Sequence, residues 1–301
     1  QASISDLFLF EASGDPGGGA PDVKEVLNYV KALEYGLHRL ESFPLSLRLI
    51  REMHEHLMRG VRGEHMTPGE FRRSQNWIGP PGCTLNDAVY VPPPVEEMHR
   101  SLADFEKYLH AQSKLPPLVR LALIHYQFEA IHPFLDGNGR IGRLLITLLL
   151  CKDGILQKPL LYLSAYFERF RSEYYRLLLA VSQNGTWDAW VTYFVKGVAE
   201  ESKDALARSA RLIDLWHSYR RKFQDARSAA ILLRLIDDFF AVPAMSIAQT
   251  AKKLNVTPRS AQLTLERLER EGILREVTGR KRYRLYVAHE IVRIVEGKKV
   301  N

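Results

Sequence analysis

The chain has 301 residues, of which 46% are hydrophobic and 26% are charged. These values are ordinary for a globular protein with a real core, and the length indicates about two domains. The longest apolar run, residues 144–151, is much shorter than the roughly 20 residues that a membrane-spanning helix needs. We find no secretory signal pattern, and Cys83 and Cys151 show neither metal-binding nor disulfide spacing. We therefore expect no membrane partner and a location in the reducing cytoplasm.

The formal net charge of +7 is unevenly distributed along the chain. Residues 205–301 contain 20 Lys and Arg against 10 Asp and Glu, whereas the rest of the chain is slightly acidic. An excess of basic residues in the last third predicts a surface that binds nucleic acid. A solvated basic face without such a partner is the alternative interpretation.

The first two thirds of the chain show helical periodicity almost throughout. The composition predicts a loop at residues 12–22 and a second loop or short hairpin at residues 67–94. No strand pattern of any length is found before residue 270. Apolar residues at helical spacing predict helices over residues 22–37, 45–58, 95–109, 117–131, 139–151, 165–183 and 187–224.

Residues 228–287 have a different organisation. The predicted elements are a helix at 229–240, two helices capped by Ser246 and Thr257, a helix end at Gly272, and strands at 274–277 and 283–287. Two consecutive helices followed by a basic hairpin resemble a winged helix-turn-helix domain, in which the second helix enters the major groove of DNA.

The segment at residues 131–145 places a glycine-rich loop between two apolar helices. Such a loop offers backbone N–H groups and the positive end of a helix dipole to an anion. Arg140 and Arg143 are three positions apart, so both can bind phosphate from one helix face. Asp136 supplies a hard oxygen ligand for Mg²⁺ beside that phosphate. His132 titrates near neutral pH and can accept a proton from an attacking hydroxyl.

Each of these residues also has an ordinary structural interpretation. A histidine before proline is usually structural, Gly-Asn-Gly is usually a turn, and paired arginines are usually solvated. A P-loop is excluded because its Gly-Lys-Ser/Thr element is missing. A zinc hydrolase is disfavoured because no His-Glu-x-x-His occurs, and His54 and His56 are two apart and cannot share a helix face. The combination in one loop therefore favours a phosphate site.

Residues 132–143, His-Pro-Phe-Leu-Asp-Gly-Asn-Gly-Arg-Ile-Gly-Arg, resemble the signature of the Fic family at every defined position. The resemblance extends over residues 22–200 and includes Asn28-Tyr29 and the segment at 166–175. Residues 71–94 look like the family's substrate-positioning flap. The family fold implied is mainly α, with a Fic helical core and a short β-hairpin flap, followed here by the winged helix domain. The predicted boundaries are an N-terminal segment at 1–21, the Fic domain at 22–224 and the winged helix-turn-helix domain at 225–301.

The resemblance implies a protein adenylyltransferase that moves AMP from ATP to a Tyr, Thr or Ser hydroxyl of a protein, with Mg²⁺ as cofactor and self-modification as a further outcome. Phe134 would anchor the loop. The implied roles are general base for His132, metal ligand for Asp136, and phosphate binding for Gly137, Asn138, Gly139, Arg140 and Arg143. The flap residues implied to pair with the target peptide by strand addition are Ile78, Gly79, Val89, Tyr90 and Val91.

Other functions remain open at this point. A second hypothesis is a DNA-binding regulator in which a Fic-like core acts as a sensor. The residues suited to DNA contact are Arg259, Arg280, Lys281 and Arg282, with Arg284 in the same basic wing. Winged helix domains also dock proteins. Transfer of UMP and removal of AMP are alternatives within the family. The resemblance also implies a homodimer, since family members are often dimeric.

An inhibitory helix of the pattern Ser/Thr-x-x-x-Glu-Gly/Asn occurs in many family members with this layout. Its glutamate pairs with the second motif arginine, which is Arg143 here. Residues 1–11 look like the stretch that follows such a motif, and the motif itself is not found in the sequence. We therefore expect an unrestrained form of the enzyme, in which the motif was removed by truncation or proteolysis, and inhibition from another chain is the alternative.

Overall fold

A computed structural model describes residues 21–224, 229–280 and 283–297. The predicted N-terminal segment up to residue 20, with most of the predicted loop at 12–22, lies outside the described residues. The chain divides into two compact units, one of residues 27–205 and a second that combines residues 21–26, at the start of α1, with the described residues from 206 onward. The predicted domain boundary at 224/225 stays a prediction. The mainly α fold class is confirmed.

Helices dominate the first unit. They are α1 Pro21–Leu40, α2 Leu47–Met58, α3 Val95–His110, α4 Pro117–Ile131, α5 Asn138–Lys152, α6 Leu163–Arg169, α7 Arg171–Asn184 and the start of α8 Trp187–Arg221, with a single 3-10 turn at Leu85–Asp87. Apolar residues are buried around nearly the whole of α5, which therefore forms the centre of the core. None of the helices in the described residues has both the length and the apolar content to cross a membrane.

The predicted single helix at 165–183 is wrong, because the chain breaks at Phe170, with φ −112° and ψ 38°, between α6 and α7. The rings of Phe167 and Tyr174 stack with centroids 4.7 Å apart. In a continuous helix, residues seven positions apart are separated by about 10 Å along the axis. The break therefore lets both aromatic rings enter the same part of the core, where both are buried.

The second unit contains the C-terminal part of α8 together with four helices and three short strands among the described residues. These elements are α9 Ala229–Ala241, β1 Ala244–Ser246, α10 Ile247–Leu254, α11 Pro258–Arg270, β2 Arg275–Glu276, β3 Leu285–Val287 and α12 His289–Val295. The strand order is β1-β3-β2, with both pairs antiparallel. The predicted absence of strands before residue 270 is wrong, since β1 pairs with β3. A three-residue strand whose partner lies about 40 residues later leaves no alternation that a local pattern could show.

The two helices of the helix-turn-helix begin as the sequence predicts. Ser246 accepts a hydrogen bond from the Gln249 N–H at 3.3 Å, and the Gln249 side chain accepts one from the Ser246 N–H at 2.8 Å, which completes a capping box. Thr257 accepts from the Ser260 N–H at 3.2 Å, with Pro258 in the first helical position. Asn255 adopts the left-handed conformation that ends α10.

Replacing Ser246 with alanine is expected to destabilise α10 by about 1 kcal/mol, because the first turn loses its side-chain acceptor. Amide hydrogen exchange in α10 should then become faster, while exchange in α4 and α5 stays unchanged. Ser246→Asp is the matched control, since aspartate also caps. Equal protection of α10 in the alanine and aspartate variants would contradict the capping role.

Candidate active site

The loop at residues 132–137 joins helices α4 and α5 of the first unit. His132 ends α4 in the left-handed region, with φ 49° and ψ 60°, and its N–H donates to the Phe128 carbonyl at 3.1 Å. Gly137 precedes α5 with φ 83°, where a side chain would be strained. Two left-handed residues thus reverse the chain tightly between the end of one helix and the start of the next.

Asn138 holds this loop closed from the first position of α5. Its Oδ1 accepts from the Phe134 N–H at 2.8 Å, and its Nδ2 donates to the Phe134 carbonyl at 2.7 Å. The side chain is buried, so these bonds are shielded from competing water. The structure thus uses the Asn138 amide to shape the loop, and its predicted contact with phosphate stays a prediction.

His54 of α2 contacts the loop through Phe134 and Asp136. This role was not predicted from the sequence. Its ring stacks on Phe134 with centroids 3.8 Å apart. Its Nε2 lies 2.9 Å from the Asp136 carbonyl, and its Nδ1 accepts from the Gly69 N–H at 2.9 Å, which assigns the proton to Nε2. Burial lowers the pKa of His54 to about 4. The sequence does show a histidine on the apolar face of α2, and such a histidine needs polar partners when it is buried.

Acid is expected to destabilise the first unit through His54. An unfolded chain binds this proton near pH 6.5, whereas the folded state resists it until about pH 4, so stability falls as the pH decreases through that window. Urea unfolding followed by tryptophan fluorescence should give a lower midpoint at pH 5 than at pH 7. His54→Gln should reduce this difference between the two pH values, and an unchanged difference would count against the assignment.

His132 has one ring nitrogen engaged in the described structure. Its Nδ1 lies 3.3 Å from the Glu129 carbonyl, so Nδ1 carries the proton and Nε2 keeps a lone pair. Burial, together with the nearby Arg72 charge, lowers the pKa of His132 to about 4, against weaker opposing effects of the Glu129 carbonyl and Asp136. The imidazole is therefore neutral at pH 7 and able to accept a proton.

Arg72 ties the flap segment to the loop. This buried side chain donates from Nε to the His132 carbonyl at 3.1 Å, from Nη1 to the Ser74 carbonyl at 3.2 Å, and from Nη2 to the Pro93 carbonyl. The Arg72 N–H also donates to the Pro133 carbonyl at 2.9 Å. Three carbonyls partly offset the cost of burying the guanidinium, whose pKa burial lowers.

Two more side chains fasten the flap to the same loop. Asn76 Nδ2 donates to the Phe134 carbonyl at 3.0 Å, and the Tyr90 hydroxyl donates to the Ala130 carbonyl at 2.8 Å. The predicted hairpin is present as one bridge, in which the Ile78 N–H donates to the Tyr90 carbonyl at 2.9 Å and the Tyr90 N–H returns a bond of 3.1 Å. The flap is therefore shorter than a regular two-stranded sheet.

The remaining predicted flap residues lie at the surface. The side chains of Val89 and Val91 are 55% and 47% exposed, on either side of the anchored Tyr90. Gly79 is exposed next to Ile78, and a side chain there would collide with Cys83 Sγ. Alternation along the strand thus turns one face to the loop and the other to solvent.

The predicted phosphate-binding residues surround the N-terminus of α5. The Gly137 N–H donates to Asp136 Oδ1 at 2.6 Å, and Gly137 and Gly139 keep the first turn free of side chains. Arg140 Nη2 lies 3.5 Å from Asp136 Oδ2 and 3.3 Å from Met58 Sδ. A Cβ at Gly139 would lie 3.0 Å from Arg143 Nη1, so the second arginine reaches back over the same turn. The structure thus brings both arginines to one anion-binding helix end.

Asp136 is suited to a magnesium ion that is held mainly by phosphate. Its side chain remains 38% exposed, and Oδ1 and Oδ2 are held by the Gly137 N–H and by Arg140 in a fixed orientation. In the described residues no group of three or more His, Cys, Asp or Glu side chains is placed to hold a metal. Mg²⁺ commonly binds one or two carboxylates together with substrate phosphates and water, and one aspartate fits that pattern.

The predicted DNA-contact residues belong to the second unit. Arg259 is exposed in the first turn of α11, and Arg280 is exposed after β2. Lys281 and Arg282 lie outside the described residues. Arg284, which belongs to the same basic run, pairs with Glu266 at 3.4 Å.

Two segments of the chain match known protein families. Residues 44–150 match the Fic/DOC family, and residues 232–286 match a family described as an HTH DNA binding domain. The first match contains the complete loop and flap, and the second contains α10, α11 and the strands.

Curated relatives and solved structures agree with these matches. The chain is 31% identical to "Protein adenylyltransferase Fic" of Drosophila erecta over 46% of this chain and 26% of that protein. It is 28% identical to the Drosophila grimshawi protein of the same name, over 63% of this chain and 35% of that protein. The chain thus matches only about a quarter to a third of these relatives.

Two solved structures share the fold. A Fic family protein from Desulfovibrio desulfuricans superposes with a TM-score of 0.58 at 21% identity, over 96% of this chain and 81% of that chain. Fic-1 from C. elegans superposes with a TM-score of 0.52 at 25% identity, over 70% of this chain and 60% of that chain.

Proposed function

Because residues 44–150 form a Fic/DOC domain, we propose that this chain is a protein adenylyltransferase that moves AMP from ATP to a protein hydroxyl. The observation that carries the proposal is the neutral His132 in the same loop as the α5 N-terminus, Arg140 and Arg143. A proton acceptor beside an anion site is the arrangement that transfer to a hydroxyl requires.

His132 acts as the general base in this reaction. Its Nε2 accepts the proton of a Tyr, Thr or Ser hydroxyl while the hydroxyl oxygen forms a bond to the α-phosphorus of ATP. The bond between the α-phosphorus and the bridging oxygen breaks, and pyrophosphate leaves with the electron pair. The hydrogen bond from Nδ1 to the Glu129 carbonyl fixes the ring and becomes stronger as the imidazole gains charge.

The phosphates bind at the N-terminus of α5. The Gly139 N–H in the first turn of α5 faces the α-phosphate, the Gly137 N–H donates to Asp136 Oδ1, and Arg140 and Arg143 hold the β- and γ-phosphates. Asp136 holds Mg²⁺, which neutralises phosphate charge when it is bound. Asn138 keeps these groups in place through the loop. Fixed donors at this position stabilise the negative charge that develops during transfer.

The flap positions the target. Val89 and Val91 are exposed beside the bridge between Ile78 and Tyr90, and this short extended segment can pair with a strand of the target protein. The Tyr90 anchor to Ala130 keeps this segment at a fixed distance from the loop. A target hydroxyl carried on an added strand is thereby held near His132.

Mass spectrometry after incubation with ATP and Mg²⁺ tests the proposal. A mass gain of one AMP on a lysate protein or on the enzyme itself is the expected result, and parallel incubation with UTP distinguishes UMP transfer. Removal of AMP is tested by incubating the purified AMP-modified protein with the enzyme, where a mass loss of one AMP would reveal it. No gain with any nucleotide would refute a transferase.

DNA binding is a second candidate, and the match of residues 232–286 to an HTH DNA binding domain favours it. Arg259 in the first turn of α11 and Arg280 near the hairpin are exposed and basic. We propose that these two residues contact the DNA backbone together with Lys281 and Arg282. Phosphate contacts of this kind make affinity fall steeply with salt.

A mobility shift of duplex DNA by the full chain at low and moderate salt tests this second candidate. Arg259→Ala should weaken DNA binding. It should also reduce the slope of log affinity against log salt concentration by about 1, which corresponds to one lost phosphate contact. Arg73→Ala is the matched control, since Arg73 is an exposed arginine of the first unit that pairs with Glu70. Absence of binding at low salt would end the DNA interpretation and leave protein docking as the role of this unit.

A further inference from the structure

Glu129 carries a buried carboxyl group that the proposed reaction does not use. It lies on α4, and its Oε1 is shielded from solvent without a hydrogen-bond partner. Buried acceptors are almost always paired, so an unpaired carboxylate oxygen next to a phosphate site requires a reason. A Cβ at position 142 would collide with this oxygen, so Gly142 leaves the space that the carboxyl occupies.

The groups around the Glu129 carboxyl leave one positive charge to act on it. From its own helix, His125 is kept neutral, with a pKa that burial lowers to about 3. From α7, Tyr174 lies 3.0 Å from His125 Nε2 and donates its proton there, while His125 Nδ1 donates to the Gly142 carbonyl at 3.2 Å. From α5, Arg143 attracts the negative charge of Glu129 and lowers its pKa, against the larger effect of burial.

Arg143 consequently acts on two sites of negative charge. Its charge acts on the Glu129 carboxyl, and its Nη1 lies over the first turn of α5, where the nucleotide phosphates bind in the proposed function. Within the described residues, Arg143 has neither a hydrogen bond nor an ion pair with a carboxylate. Its guanidinium is therefore available to phosphate, and its field at that position is reduced by any charge on Glu129.

We propose that Glu129 is a positioning residue that acts through Arg143 and limits how tightly the site holds the departing pyrophosphate. The inference rests on the proposed function, since it requires phosphate at Arg143. An ionised Glu129 repels pyrophosphate and competes for the guanidinium, which favours release after transfer. A protonated Glu129 leaves the full charge of Arg143 to the phosphates.

The charge state of Glu129 changes in the neutral range. Burial raises its pKa to about 7, so the carboxyl is mostly protonated at pH 6 and mostly ionised at pH 8. His132, with a pKa of about 4, stays neutral across this range. A difference between wild type and a Glu129 variant that appears only at the higher pH therefore reports on this carboxyl.

Calorimetric titration of the full chain with Mg²⁺ and inorganic pyrophosphate tests the proposal at pH 6 and pH 8. Glu129→Gln keeps the shape and removes the charge, and it should tighten pyrophosphate binding about tenfold at pH 8, as expected for one charge several ångströms away. At pH 6 the two proteins should bind equally. Product inhibition by pyrophosphate should become stronger in the variant at pH 8, with little change in the rate of the first turnover.

Three further variants make the outcome decisive. Glu201→Gln, which removes a different buried carboxylate that pairs with Arg169 at 3.1 Å, should leave pyrophosphate affinity unchanged. Glu129→Ala provides a second removal of the charge, with thermal melts to verify folding. Equal affinity of wild type and both Glu129 variants at pH 8, while Arg143→Ala still loses binding, would overturn the inference alone. Unimpaired binding by Arg143→Ala would overturn the phosphate site and the inference together.

Discussion

Replacing His132 with alanine is expected to slow AMP transfer by about 10²- to 10⁴-fold, the usual contribution of a positioned general base. The structure gives the physical reason. Nδ1 is bound to the Glu129 carbonyl, and burial keeps Nε2 unprotonated, so the ring is ready to accept a proton without first losing one. Rates of AMP incorporation under single-turnover conditions measure this loss directly.

ATP binding should survive the same substitution, because the proposed phosphate contacts come from Gly139, Arg140 and Arg143 on α5 rather than from His132. His99→Ala is the matched control, since His99 is exposed on α3. The transfer rate of wild type should also hold from pH 8 down to about pH 5 and fall only as His132 becomes protonated. Full activity of the His132→Ala protein would show that another group removes the proton.

Replacing Arg72 with alanine is expected to destabilise the first unit by about 3 kcal/mol or more, because the buried guanidinium is removed and three partly buried carbonyls lose their donor. These are the carbonyls of His132, Ser74 and Pro93. The loop and the flap would separate locally before the helices unfold. Urea unfolding gives the global effect, and hydrogen exchange near residues 74–93 gives the local one.

Arg73→Ala is the matched control for this prediction. Arg73 is the next residue, but its side chain is 85% exposed and pairs with Glu70 at the surface, so its loss should cost less than about 1 kcal/mol. Equal destabilisation by the two substitutions would show that the three carbonyl contacts of Arg72 add no stability.

Local sequence signals were sufficient for most of the fold. The caps at Ser246 and Thr257 and the apolar spacing of the helices depend on neighbouring residues, and the structure confirms them. The break at Phe170 and strand β1 depend on distant partners, namely the aromatic core around Tyr174 and the pairing with β3. Patterns within a short window carry no information about such contacts.

The site shows the same division. Glycines and arginines of the loop were predicted, because their spacing alone places them at the start of a helix. His54, Arg72 and Glu129 come from elsewhere in the chain or from a helix interior, and their roles follow only from what they touch. An aspartate or arginine beside a glycine-rich turn is visible in sequence, whereas a carbonyl that needs a donor is not.

The three side chains that hold the flap all end on main-chain carbonyls, at Ala130 in the last turn of α4 and at His132 and Phe134 in the loop. Such an attachment does not depend on which side chain occupies those positions. A protein in which His132 is alanine should therefore keep its flap in place and still engage its target, although it cannot complete the reaction. The same substitution that slows transfer thus yields a bait, which can retain the unidentified target protein for recovery from a cell extract.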